Sequence, residues 1–217
     1  MPLRFAMRRP AGVTNNQRPL LRRGGLALLV ALIGAAVGPA VSTAAPVVGS
    51  DQVQSFVDST AAGSAKAFRY TAPAAGSMDE LNVYVDGSSV PSSLSVGLYA
   101  NSNSRPKGRM TACTVTAPKA GWNACKAPAA AVTSGTQYWL AVLAPTGSGT
   151  LNFRDRPRDG SVSYSSSSSS LASLPASFPV GSKRNGYSPA SIFGATAVVA
   201  DSTPPSTPAG LAKTAAT

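Results

Sequence analysis

Gly135-Thr-Gln-Tyr-Trp-Leu-Ala-Val-Leu143 is the stretch that decides the fold. A Gly-Thr turn launches a dense aromatic and aliphatic run, and Ala144-Pro145 closes it. An apolar run this short, bounded by turn residues, reads as a buried strand rather than a helix. Side chains alternate across a strand, so Tyr138, Leu140 and Val142 face one way and Trp139, Ala141 and Leu143 the other. Both faces are apolar. The expectation is a central strand with something packed on each side.

Working outward, the same punctuation recurs. Leu81, Val83 and Val85 alternate with Asn82, Tyr84 and Asp86 before an Asp86-Gly87 turn, and Leu94, Val96 and Leu98 repeat the pattern within 93–100. Further strands are expected at 50–56, 64–71, 109–117, 121–126, 150–154 and 191–199, with the polar stretch 101–108 as a loop. The stretch 155–190 is expected to lack regular structure. Within it, Ser165–Ser170 is a mobile serine tip, and Leu171, Leu174, Pro175, Phe178, Pro179 and Val180 lie across a sheet face. Short strands at regular spacing, with no helical period after residue 45, predict an all-β fold: an antiparallel β-sandwich, jelly-roll-like in topology.

The chain has 217 residues with 19 basic and 8 acidic side chains, a formal net charge of +11 and no histidine. Six of the basic residues (Arg4, Arg8, Arg9, Arg18, Arg22 and Arg23) precede an apolar segment; the remainder carries 13 − 8 = +5, scattered along the chain. No basic helix or aromatic–basic interleaving appears, so a nucleic-acid partner is not expected. Arg22-Arg23, the apolar run Leu26–Val37, the breaker Gly38-Pro39 and small residues at Ser42 and Ala44 compose an export signal. The apolar run is shorter than the roughly 20 residues a bilayer requires. The expectation is a signal peptide over 1–44 cleaved after Ala44, no membrane association afterwards, and a secreted, extracellular domain over 45–200.

The two cysteines fit this reading. If 109–117 and 121–126 form a hairpin around Pro118-Lys119-Ala120, Ala117 faces Gly121 and Cys113 faces Cys125. Directly opposed strand residues sit about 4.5–5.5 Å apart, within the reach of a disulfide. An exported chain with two cysteines defaults to a Cys113–Cys125 bridge.

The ordered series Gly97-Leu98-Tyr99, an Asn/Ser/Pro/Gly loop, Gly121-Trp122-Asn123 and Gly135–Leu143 resembles a module of secreted actinobacterial proteins over residues 47–199. The resemblance implies a β-sandwich, generally noncatalytic, set beside fibronectin type III, carbohydrate-binding or catalytic domains. The cysteine pair departs from that pattern. Asp201-Ser-Thr-Pro-Pro-Ser-Thr-Pro-Ala-Gly-Leu211 resembles the proline-rich lead into a bacterial fibronectin type III domain. Residues 201–217 hold one strand's worth of it, so this segment is expected to be an extended, disordered tail.

Without histidine there is no Ser-His-Asp or Cys-His arrangement. The single glutamate, Glu80, and its neighbour Asp79 point to opposite faces of a strand, unlike a glycosidase pair. Asp51, Asp58, Asp86, Asp155, Asp159 and Asp201 are ascribed to turns and loops. The chain is therefore not expected to be an enzyme or to hold a cofactor; a structural calcium is conceivable, but no ligand spacing supports it. For ligand contact, Trp122 and Trp139 are assigned to the core and Tyr84 and Tyr99 to the surface. Arg154 and Arg156, with Arg158, form a basic group if their strand continues past Phe153. The functional expectation is a noncatalytic module binding carbohydrate or a cell-wall glycan; the rival is a structural spacer with no ligand.

Overall fold

The computed structural model describes residues 45–156 and 161–196. The expected signal peptide with its Ala44 cleavage point, the tail 201–217 and Arg158 lie outside the described residues. Within them the chain is twelve strands: β1 (Val48–Gly49), β2 (Phe56–Thr60), β3 (Ala65–Thr71), β4 (Gly76–Val85), β5 (Ser93–Ser102), β6 (Arg105–Thr116), β7 (Gly121–Val132), β8 (Gln137–Leu143), β9 (Leu151–Asp155), β10 (Val162–Ser166), β11 (Val180–Asn185) and β12 (Ile192–Ala195).

Two six-stranded antiparallel sheets result. In the first, β4 is flanked by β7 on one edge and by β12 and β9 on the other, with β1 beside β12 and β2 beside β9. The second runs β11-β10-β3-β8-β5-β6. The pairings β2–β9, β3–β8, β4–β7 and β5–β6 nest inside one another. One long hairpin, wrapped so that successive strands swap sheets, produces this order. It is the jelly roll that the strand spacing predicts. Strands β10 and β11 extend the second sheet; β1 and β12 extend the first.

The Gln137–Leu143 strand is central, with β3 on one side and β5 on the other. Leu140 and Val142 meet Leu81, Val83, Phe153 and Ile192 between the sheets. On its other face Trp139, Ala141 and Leu143 pack beneath Leu174 and Phe178, so the proline-punctuated segment does cover a sheet face. Gly97 makes this cover possible: a Cβ there would come within 2.9 Å of the Leu174 Cδ1.

Several expectations are corrected. Residues 50–55 are not a strand; pairing begins at Phe56. The stretch 101–108 is not a loop, because β5 and β6 run on to a two-residue turn at Asn103 and Ser104. Both have positive φ (49° and 57°), the twist that suits a tight hairpin. The stretch 155–190 contains β10 and β11, paired with each other. The serine run is no loose tip: Ser166 Oγ accepts from the Ala65 N–H at 2.9 Å and donates to the Ser168 carbonyl at 2.6 Å.

The largest correction concerns the cysteines. The Cys113–Cys125 disulfide is present, with Cα atoms 5.9 Å apart. Its strands, however, are not a hairpin: β6 pairs with β5 in the second sheet, and β7 pairs with β4 in the first. Positive φ at Ala117 (50°) and Gly121 (100°) carries the chain from one sheet to the other. The bridge therefore ties the two sheets together along one edge. The Thr111 hydroxyl reinforces it by donating to the Pro128 carbonyl at 2.6 Å.

Candidate functional site

The alternation that buries Leu81, Val83 and Val85 sends Glu80, Asn82 and Tyr84 to the outer side of the first sheet. Registers with the flanking strands then set what lies beside them. Tyr84 is opposite Trp122 of β7, while Asn82 lies between Ala124 of β7 and Phe193 of β12. The Tyr84 and Trp122 rings meet edge-to-face with centroids 5.6 Å apart, and Trp122 and Phe193 do so at 5.2 Å. Three adjacent strands thus contribute one aromatic strip. Trp122 is 40 % exposed. Among the described residues the two apolar clusters lie between the sheets and over the second sheet, with no counterpart over the first.

Polar groups border the strip. Asn82 Nδ2 donates to Glu80 Oε1 at 3.0 Å, and Lys126 stands opposite Glu80. Beyond Tyr84, Arg154 donates through Nε to Asp86 Oδ2 at 2.6 Å. Asp86 also accepts from the Ser88 hydroxyl at 2.5 Å and its N–H at 3.0 Å. These hydrogen bonds, led by those from Ser88, hold the Asp86 carboxyl below the usual carboxylate range. The guanidinium is thereby fixed against the Asp86 carboxylate. A half-exposed Val57 faces Arg154 on β2.

The expected contact residues separate accordingly. Tyr84 and Arg154 share this uncovered face. Tyr99 does not: it is fully buried on the second sheet, its hydroxyl donating to the Pro175 carbonyl at 2.8 Å and its ring against Phe178. Burial pushes its hydroxyl pKa up. The covering segment that sequence placed across a sheet lies over this very tyrosine. Arg156 follows the end of β9, its N–H donating to the Pro189 carbonyl, so the strand does not continue into a basic row. Trp139 is in the core as expected, its Nε1 donating to Asn101 Oδ1 at 2.9 Å. Trp122 is not, because it points, like Tyr84 opposite it, to the outer side of the first sheet.

Trp122 and Phe193 are the contact residues that the sequence reading missed. Parity could have found the first. Cys125 must face inward to reach Cys113, and Trp122, three positions away on the same strand, must then face outward. Among the described residues no group of three or more metal-ligating side chains comes together. Comparison with protein families, curated proteins and solved structures returns no match, so the site is read from its own geometry.

Proposed function

We propose that this protein is a secreted, noncatalytic β-sandwich module that contacts a glycan or a cell-wall polysaccharide through the open face of its first sheet. The carrying observation is the Tyr84–Trp122–Phe193 strip with Trp122 partly in solvent. A sugar ring presents C–H groups on one face and hydroxyls around its edge. The electron-rich face of an aromatic ring attracts the former. Glu80 and Arg154, which border the strip, would meet the latter. An uncovered aromatic patch with a polar rim is a feature of interaction surfaces rather than of idle ones. The disulfide supports an oxidising location. Adjacent fibronectin type III or catalytic domains would make the module an accessory that holds them at their substrate.

The test is retention of residues 45–217 on chitin, cellulose, xylan and peptidoglycan, with Trp122→Ala, Tyr84→Ala and Tyr99→Phe run alongside and folding checked by circular dichroism. Saturable binding that falls at least tenfold in the first two variants, and survives in the third, is expected; tenfold corresponds to about 1.4 kcal/mol. Retention on none of the four would leave the module as a spacer that positions a neighbouring domain.

A further inference from the structure

At the sandwich edge opposite the disulfide, four side chains from four strands converge between the sheets. Asp58 of β2 and Asp155 of β9 come from the first sheet, Lys66 of β3 and Arg184 of β11 from the second. Lys66 Nζ donates to Asp58 Oδ2 at 2.7 Å, and Arg184 Nη1 donates to the same oxygen at 2.7 Å. The Ser59 N–H donates to Asp58 Oδ1 at 2.8 Å. The Lys66 and Asp58 side chains are each only 12 % exposed, and the Phe153 ring closes over the amine with its centroid 5.5 Å from Nζ. The ascription of Asp58 and Asp155 to turns is thus corrected: both lie in paired strands.

The arrangement is lopsided. Asp58 takes both cations, whereas Asp155 is fully buried and neither of its carboxyl oxygens receives a hydrogen bond from an N–H or a hydroxyl. Asp58 is its diagonal neighbour on the inward face of the β2–β9 ladder, Asp58 lying opposite Phe153 and Asp155 opposite Phe56, and two largely buried carboxyls so placed favour a proton on one of them. An ion-pair network built for stability would give each carboxylate a cation, since a bare buried charge is costly. Asp155 instead stands beside the Lys66–Asp58 pair as a buried carboxyl that receives no hydrogen bond of its own.

We propose that Lys66 and Asp58 condense into an intramolecular amide, with Asp155 as the acid that moves the protons. The Lys66 ammonium gives up a proton and the Asp58 carboxylate gains one through Asp155. The neutral amine then attacks Asp58 Cγ. A C–N bond forms, and the charge that develops on Oδ1 faces the Ser59 N–H. Oδ2, protonated from Asp155, leaves as water, and the nitrogen's surplus proton returns to Asp155. One amide and one water replace one ammonium and one carboxylate, with no oxidant or cofactor.

The surroundings favour each step. Burial pulls the Lys66 amine below its ordinary pKa towards the reactive neutral form. Burial, and then the Asp58 charge, push the Asp155 carboxyl up to about 7. Holding the partners in contact supplies the proximity that a free amine and carboxylate lack in water. The product would stitch the first sheet to the second across the edge that the disulfide leaves open.

The test is mass spectrometry of the purified, reduced and alkylated full chain. An intact mass lower by one water is expected. Trypsin should fail to cut after Lys66, and the peptide ending at Arg69 should show no backbone fragments between Asp58 and Lys66. Lys66→Arg, which keeps the ion pair, and Asp155→Asn should both restore the full mass while remaining folded by circular dichroism. Normal cleavage after Lys66 in the wild-type protein would overturn the proposal and leave an ion-pair network. A water lost with cleavage retained would mark a succinimide at Asp58 and overturn it equally. An amide that still forms in Asp155→Asn would refute the role given to Asp155.

Discussion

Replacing both cysteines, Cys113→Ala with Cys125→Ala, should cost about 3 kcal/mol of stability. The figure follows from the loop the bridge closes: a sequence separation of 12 costs the unlinked denatured chain that much in closure entropy. The native corner should barely change. The Thr111–Pro128 hydrogen bond joins the same two strands without the sulfurs, and the β5–β6 and β4–β7 ladders keep each of them in its own sheet. For a domain of this size the loss should lower Tm by roughly 6–12 °C, at about 2–4 °C per kcal/mol. Urea unfolding followed by fluorescence separates cause from consequence. An effect exerted on the denatured state should raise the m-value, because a chain freed of its cross-link exposes more surface. Amide chemical shifts away from residues 111–128 should stay put. A loss below about 1 kcal/mol with unchanged m would refute the entropic account. Shifts spreading through β4 and β5 would refute it from the other side, showing that the bridge holds native geometry in place.

Three other outcomes follow. Trp122→Ala should cost little stability, about 1–2 kcal/mol for its two edge-to-face contacts, while removing glycan retention; thermal melts beside pull-downs check both. Tyr99→Ala should cost about 3–5 kcal/mol by leaving a cavity under the covering segment, whereas Tyr99→Phe should cost only about 1 for the lost hydrogen bond to Pro175, again by thermal or urea melts. In the Lys66→Arg background, Asp155 should make stability depend on pH. Its carboxyl keeps a proton in the fold up to about 7. The unfolded chain releases that proton near its ordinary value of about 4, so stability should fall as pH rises through this window and level off above it. Asp58, which burial pushes up but which the cation at position 66, the Ser59 N–H and Arg184 together hold below its ordinary value, contributes stability that is lost as pH falls through its folded value. Asp155→Asn should flatten the neutral limb of the Tm profile and leave the acid limb; unchanged slopes on both limbs would sink the assignment.

Much of this architecture is written in local patterns. The two-faced run Gln137–Leu143 and the alternation of Leu81, Val83 and Val85 follow from periodicity, and the disulfide follows from having two cysteines. Partner choice is different, because it depends on residues far apart in sequence. The 117–121 turn suits a hairpin as well as a sheet change, and both place Cys113 near Cys125. Strands β10 and β11 hid because serines and charges at an edge of the sheet need no apolar alternation. The aromatic strip was half visible: Tyr84 shows its outward parity within its own strand, but Trp122 and Phe193 join it only through the registers of β7 and β12. The juxtaposition of Asp58 and Asp155 was least legible. Nothing local distinguishes a turn aspartate from one that long-range pairing buries.

The nesting of the strand pairs implies an order of events. Loop-closure entropy favours the short β5–β6 hairpin at Asn103–Ser104 first, then β4–β7, β3–β8 and finally β2–β9, each pair forming around the last. Pulsed hydrogen exchange should record protection of Val96 and Leu98 before Val57 and Ser59. The outermost pair is the one that brings Asp58 and Asp155 together, so the amide could form only on a chain whose winding is complete. A reversible fold would then acquire a latch at its final step, and molecules that reached that step would be chemically marked as having done so.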